Sequence, residues 1–410
     1  MTDATVTFPI EQVREQFPAL KRKYNEKIVT YFDGPGGSQV VASAIKAITK
    51  YMEDGGANLH GTFPSSVETE DVISEAKLAV SDLLGVKPNE VAFGANMTTL
   101  TLAISRALAK QLKKGDEIVV TELDHRANVD PWLAIAEDHG LIVRWIKVNP
   151  ETLTLDLNQL DEIINNKTRL VAIGIASNAV GTISDVEKVA KHAQAVGAFV
   201  AVDAVHATPH IYLDRDQLGA DILLCSAYKF FGPHVGIAAI RESLFRQLEP
   251  YKLAPAPDYI PDRLETGTQN HEGIAGIKPA IEFLASFGEG SSRREKIKKG
   301  LEKIETYENK LANKLRNGLE NIEKVTLYQP DKTVAKTPTI AFKVEGYTPR
   351  EVCQIMTDDH GIFVADGDFY ASTLAGVLDV TKSGGWIRAG LAPYNTEEEI
   401  DRLIAALKRL

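Results

Sequence analysis

Lys229 follows the apolar run Ile222-Leu223-Leu224 by way of Cys225-Ser226-Ala227-Tyr228, and Asp203 directly follows a second β-rich run, 199–202. Open α/β sheets bind ligands beyond the carboxyl ends of their strands, so both residues fall where chemistry is done. An amine among apolar side chains loses affinity for its proton and becomes a nucleophile and base near neutral pH. A carboxylate at a neighbouring strand end could keep a heterocyclic nitrogen protonated and so make a ring an electron sink. Taken singly, an aspartate after a strand is usually a helix cap and a lysine there a solvated loop residue. A third feature shifts the balance. The run 91–93 leads through Gly94-Ala95-Asn96-Met97-Thr98-Thr99 into an apolar helical stretch, 100–108, where free amides and a helix dipole suit a phosphate. This is neither the Walker pattern nor GxGxxG, which argues against a P-loop nucleotidase or a dinucleotide enzyme.

The elements that must hold these residues are legible as a pattern. β-rich runs at 91–93, 118–121, 143–148, 170–175, 199–202, 222–225 and 235–240 alternate with amphipathic stretches. This predicts an α/β protein with a seven-stranded, mostly parallel sheet covered by helices on both faces. Near Gly273 the texture changes. Ile297, Leu301, Ile304, Leu311, Leu315, Leu319 and Ile322 recur at helical intervals and predict one long helix over 293–322. Short strands follow at 339–344, 362–364 and 386–389, with a helix over 349–359 and a last helix opened by Thr396 and Glu399 in a capping box. With 410 residues, 44% of them apolar, the chain is long enough for two domains. The expected division is an N-terminal segment, 1–30, packing with the small domain; a large domain, 31–272; and a smaller C-terminal α/β domain, 273–410.

Composition narrows the function. Lys and Arg number 46 against 56 for Asp and Glu, a net charge of −10 that offers no basic surface to nucleic acid or anionic lipid. The first residues lack a positive start followed by an apolar stretch, and about 18 apolar residues nowhere run together, so a cytoplasmic protein without a membrane span is expected. The two cysteines, Cys225 and Cys353, are too few for a disulfide framework or a metal cluster and read as core residues; no metal is expected.

From Tyr31-Phe32-Asp33 to its end, the chain resembles class V enzymes dependent on pyridoxal 5′-phosphate (PLP), close to the cysteine desulfurase and selenocysteine lyase branch. The resemblance implies PLP fold type I, the aspartate aminotransferase-like fold, with Lys229 carrying the cofactor as a Schiff base and Asp203 at its ring nitrogen. The segment Asp124-His125-Arg126-Ala127-Asn128 is similar to the motif whose histidine stacks on the cofactor ring and moves protons. Ala176-Ser177-Asn178-Ala179-Val180-Gly181-Thr182 matches the element whose asparagine bonds the phenolic oxygen, implying that role for Asn178. Ala95, Asn96, Ser226 and Tyr228 are implied as phosphate contacts, Tyr228 standing where a histidine is common. His206 stands where the family has a glutamine near the ring oxygen. Glu265-Thr266-Gly267-Thr268-Gln269-Asn270 is similar to a loop that reaches the phosphate of a neighbouring subunit, so Thr268 implies a homodimer with shared active sites. Trp386-Ile387-Arg388-Ala389-Gly390-Leu391 resembles the strand whose arginine grips the substrate α-carboxylate, a task a bidentate guanidinium suits.

One departure bears on the reaction. In cysteine desulfurases a mobile loop before the arginine strand supplies the cysteine that takes sulfur as a persulfide. Here 363–372 contains no cysteine and places Tyr370 near that position. The expected reaction is therefore lysis of a carbon–sulfur or carbon–selenium bond of an amino acid, through an external aldimine and α-carbanion, without a persulfide on the protein. Tyr370, His60 and the segment 31–37 are expected to face the substrate side chain. Transamination and epimerisation share the same early chemistry and are the alternatives. A silent scaffold would have no physical reason to keep Lys229, Asp203, His125, Asn178 and Arg388 together.

Overall fold

Seven strands form the main sheet: β1 (Val91–Gly94), β2 (Glu117–Thr121), β3 (Ile142–Ile146), β4 (Thr168–Gly174), β5 (Phe199–Asp203), β6 (Ile222–Ser226) and β7 (Gly236–Ile240). The computed structural model describes residues 8–410, so the opening segment on which the leader-peptide expectation rests lies outside the described residues. The spatial order is β1-β7-β6-β5-β4-β2-β3. Pairing is parallel from β6 through β5, β4 and β2 to β3, and only β7 runs against its neighbours. The seven-stranded, mostly parallel sheet expected from the sequence is thus present, each strand within about two residues of its expected bounds.

The strands read as continuous apolar runs because both faces are covered. Successive side chains alternate between two cores: Val200, Val202, Leu223 and Cys225 enter one, and Ala201, Ile222 and Leu224 enter the other. Polar groups are thereby expelled to the strand ends, where Asp203, Ser226 and Lys229 stand.

A second sheet orders β8 (Val325–Tyr328), β9 (Thr339–Val344), β11 (Trp386–Gly390) and β10 (Ala365–Gly367), all antiparallel. β8 and β10 were not expected from the sequence. The expected strand 362–364 joins neither sheet edge: Ile362–Phe363 pairs in parallel with Thr30–Tyr31, near the start of the chain. The long helix, Arg293–Glu320, spans both cores. Ile297, Leu301 and Ile304 pack with the main sheet, and Leu311, Leu315 and Leu319 with the second. The helix Ile277–Ala285 also buries its apolar face, Ile277, Ile281 and Leu284, in the main-sheet core, so a division at residue 273 cuts through continuous packing. The N-terminal segment bridges the two units. Phe17 meets Phe231, Phe283 and Tyr394 edge-on at 4.9–5.6 Å, and Arg14 donates to Glu399 and to the Tyr394 carbonyl. Among the described residues, no helix is long and apolar enough to cross a membrane.

One glycine fixes how closely the sheet approaches the helix Met97–Ala109. A Cβ on Gly236 would lie 2.2 Å from the carbonyl carbon of Asn96, at the cap of that helix. Backbone cannot yield there as a flexible side chain would. Gly236→Ala should therefore cost about 1–3 kcal/mol of stability, read as a lower denaturant midpoint, and should weaken phosphate-ester binding at the helix start. An unchanged midpoint would show that the loop accommodates the methyl group.

Candidate active site

The carboxyl ends of β4, β5 and β6, the start of the helix Met97–Ala109 and the strand carrying Arg388 enclose a cavity of about 380 Å³. It is lined by Lys229, Asp203, His125, Asn178, His206, Asn96, Ser226, Tyr228, Tyr370 and Arg388. Ten of the thirteen residues singled out in the sequence thus meet at one place. Ala95 is exposed and outside the lining, because the turn aims Asn96 and Met97 inward instead. Thr268 and His60 are also exposed and outside the cavity of their own chain. His60 is held in a left-handed turn (φ 68°) by a 2.7 Å bond from its amide to Glu70, so this chain does not bring it to the substrate pocket.

Lys229 ends a short turn after β6. Its Nζ donates to the Pro35 carbonyl and lies 4.9 Å from the Tyr228 ring centre. Burial, aided by the charge of Arg388, pulls the amine down to about 7, against the opposing pull of Asp33 and Asp203. Asp203 accepts the Val205 amide at 2.8 Å, and burial pushes its carboxyl up to about 6. Such a group is stabilised by any cationic N–H brought against it. His125 accepts the Ala127 amide on Nδ1 at 3.0 Å, which puts the proton of the neutral ring on Nε2. Burial and the charges of Lys229 and Arg388 depress it to about 4, so the ring is neutral at physiological pH. Beneath it, Asp124 accepts from Asn128 and the Gly174 amide, both at 2.9 Å, and burial raises it to about 7.

Arg388 is buried in the middle of β11. It donates to the Asn178 carbonyl at 2.9 Å and to Asp33 at 3.1 Å, and its guanidinium lies 3.8 Å from the Phe369 ring centre. The Asn178 amide donates to the Phe369 carbonyl at 2.8 Å. Phe369 and Tyr370 are both left-handed (φ 56° and 57°), a conformation that costs a non-glycine residue roughly 1–2 kcal/mol. The segment is held there by the Tyr370 amide on Asp368 at 3.0 Å, the Ser372 hydroxyl on Asp368 at 2.7 Å and the Arg126 amide on the Tyr370 carbonyl at 2.8 Å. The Tyr370 ring sits 5.4 Å from that of His125. His206 lines the cavity, but its Nε2 is engaged by Thr337 and Thr339 at 2.9–3.0 Å, and burial holds it well below the usual imidazole range. The Ser226 hydroxyl accepts the Met97 amide at 3.1 Å, and the Asn96 side chain caps the helix through Thr99 at 2.9 Å.

The sequence placed the segment 31–37 and the loop around Tyr370 at the pocket but did not give three of their roles. Asp33 and Phe369 secure Arg388 from two sides, and the Pro35 carbonyl orients Lys229. Asp33, two residues beyond the paired Thr30–Tyr31 and itself bridged to Gly390, is the one acid of the segment 31–37 and could have been found as a partner for Arg388, whereas the stacking of Phe369 depends on a backbone twist that no local pattern announces. Cys225 and Cys353 are buried, with thiols pushed up to about 12 by burial, and neither lines the cavity.

The donor set fits PLP. Asn178 Oδ1 and Arg388 Nε are buried beside the cavity without a protein partner, and Asp203 has one amide bond for two carboxyl oxygens. A heterocyclic N–H, a phenolic O–H and a substrate carboxylate would use these groups, with a phosphate at the helix start.

Comparison with known proteins agrees. The aminotransferase class-V family model matches residues 30–403. The aminotransferase-like protein FGM3 of Gibberella zeae is 32% identical, over 98% of both chains, and a cysteine desulfurase of an Enterobacter species is 30% identical, over 99% of both. The apo structure of a cysteine desulfurase from Thermococcus onnurineus NA1 superposes with a TM-score of 0.88 at 29% identity, covering 99% of this chain and 98% of that one. Match, fold and cavity together lead to one conclusion: this chain belongs to the class V aminotransferase family and is a PLP-dependent enzyme of fold type I.

Proposed function

We propose that the enzyme cleaves the bond between the β-carbon and the sulfur or selenium of an amino acid, releasing the leaving group without a persulfide on the protein. The observation that carries this reading is the pinned, cysteine-free segment 368–372 over a cavity holding Lys229 and Arg388. PLP, when bound, supplies an electron sink conjugated to the substrate α-carbon. Lys229 would hold it, with Asp203 at the ring nitrogen, His125 on the ring face and Asn178 at the phenolic oxygen. Asn96, Ser226 and the Thr98 amide at the start of the helix Met97–Ala109 would hold its phosphate. Arg388 orients the α-carboxylate by a charge-assisted pair, and Asp33 and Phe369 keep the guanidinium from swinging away. The Lys229 amine, depressed towards neutrality, takes and returns the α-proton. Asp203 retains its proton-bearing partner in a site dry enough to make that pairing strong. Tyr370 and the neutral His125 ring border the space for the substrate side chain, where a departing thiolate needs a proton.

A second copy of the chain completes the reading. Thr268 and His60, exposed on their own chain, are assigned to the partner's cavity, and exposed Phe63, Val67 and Tyr259 supply apolar surface for such a contact. The division into a large PLP-binding domain and a smaller C-terminal domain, and a cytoplasmic location, belong to the same reading.

With cysteine the balanced reaction is cysteine plus water giving pyruvate, ammonia and hydrogen sulfide. A panel of amino acids should yield sulfide or selenide and pyruvate in equal amounts, with no sulfur retained on the protein by mass. Oxo acid formed from several amino acids without sulfide would instead favour transamination, the reading that the likeness to an aminotransferase-like protein supports.

A further inference from the structure

Behind Lys229 the chain holds polar groups that the reaction above does not use. A void of about 10 Å³, room for a single water, is bordered by Lys229, His206, His210, Ser38 and Pro209. Lys229 borders both this void and the substrate cavity. His206 is committed through Nε2 to Thr337 and Thr339, whereas the His210 ring, 5.4 Å away, bonds through Nδ1 to Glu308 at 2.8 Å and keeps its Nε2 available. Glu308 lies on the long helix, fully buried, and its Oε1 has no protein partner. One helical turn back is Glu305, half-buried, and one turn further Glu302, exposed. Residues at this spacing share a helix face. The charges of neighbouring members reach one another, and His210 acts on Glu305 as well as on Glu308. Burial raises both Glu308 and Glu305 above the ordinary carboxyl range. The other charged groups facing the path are Lys229 and Arg388, which act on His206, and the neutral phenol of Tyr394 lies within reach of the Glu308 charge.

We propose that His210, Glu308 and Glu305 form a proton outlet that connects the Lys229 amine with solvent along the face of the long helix. The proposal rests on the assignment of Lys229 as the base that holds the cofactor. Each transfer breaks one N–H or O–H bond and forms another. A proton leaves Lys229 for a water in the void or for His210 Nε2, the proton on His210 Nδ1 passes to Glu308, Glu308 gives its proton to Glu305 directly or through a water, and Glu305 hands it to solvent. One positive charge moves outward and no electron pair changes hands. The outlet lets Lys229 equilibrate with solvent while a substrate fills the cavity on its other side.

The test uses the full-length protein with its cofactor bound and no substrate, mixed rapidly across neutrality while the visible absorption of the lysine-bound cofactor is followed. Glu308→Gln keeps the shape and the hydrogen bond to His210 but removes the acid, and should slow the relaxation at least roughly tenfold. Glu308→Asp, which keeps the acid, should recover most of the rate, and Glu305→Gln should slow it about two- to fivefold. A purely structural role predicts the opposite ranking, with the shortened Asp side chain worse than Gln. Relaxation unchanged in all three variants, or that reversed ranking, would overturn the outlet while leaving the assignment of Lys229 intact. A wild-type protein with no visible band after loading with PLP would overturn both.

Discussion

Replacing Lys229 with alanine should lower turnover at least about 10⁴-fold, since the same amine holds the cofactor and moves the α-proton. The fold should survive. Lys229 is buried with a single donor bond, to Pro35, and its desolvation is a cost that alanine removes. The sign of the pH effect follows from the depressed amine. In the cofactor-free protein its folded value is about 7 against an ordinary value of 10.5, so between those limits the unfolded chain binds the extra proton. Stability from this group therefore rises with pH across that window and is lowest below it. The Lys229→Ala protein should lose that rise, which denaturant titrations at several pH values would measure. Full activity in the variant would exclude the lysine as base, and an unaltered pH dependence would show that its amine is not depressed.

Arg388→Gln should reduce kcat/KM about 10²- to 10³-fold for α-amino acids, because two charge-assisted bonds to a carboxylate contribute together about 3–4 kcal/mol. The loss should be nearly absent for an amine substrate that lacks the carboxylate, a comparison that separates recognition from general damage. The change also removes a positive charge near Lys229, one of the two groups of causes that depress its amine, so the midpoint of the Lys229 titration should move upward. Arg388→Lys keeps a charge but loses the fork, and a point charge held by Asp33 under the Phe369 ring should recover only part of the activity. Equal losses for acid and amine substrates would remove Arg388 from carboxylate recognition.

The sheet was legible because its strands are buried on both faces. Ile222 to Cys225 is a continuous apolar run, and a parallel strand leaves few other readings for such a run once helices flank it. Asp203, Lys229 and Asn96 were legible only in combination: each alone reads as a cap or a loop residue, and it is their convergence at the ends of neighbouring strands, together with the family resemblance, that marks a site. What escaped was set by tertiary geometry. Ala365–Gly367, a three-residue strand of small and polar residues, forms only because Trp386–Gly390 offers it an edge. Ile362–Phe363 alternates like a strand but finds its partner in residues 30–31, more than 300 positions away. His60 was expected to face the substrate side chain, and the turn pinned by Glu70 leaves it exposed on its own chain. The guard that Phe369 places on Arg388 requires two successive left-handed residues, which the sequence Asp-Phe-Tyr does not advertise. His210 and Glu308 lie 98 positions apart and meet only because the fold brings the long helix against the turn that follows β5.

The central claim is that Lys229 carries the cofactor, and the most direct measurement is borohydride reduction of the PLP-loaded protein followed by peptide mass analysis. The account predicts bleaching of the visible band and a pyridoxyl group on the peptide containing Lys229, absent from Lys229→Ala. A reduced adduct on any other lysine, or a loaded protein that borohydride leaves unlabelled, would contradict it.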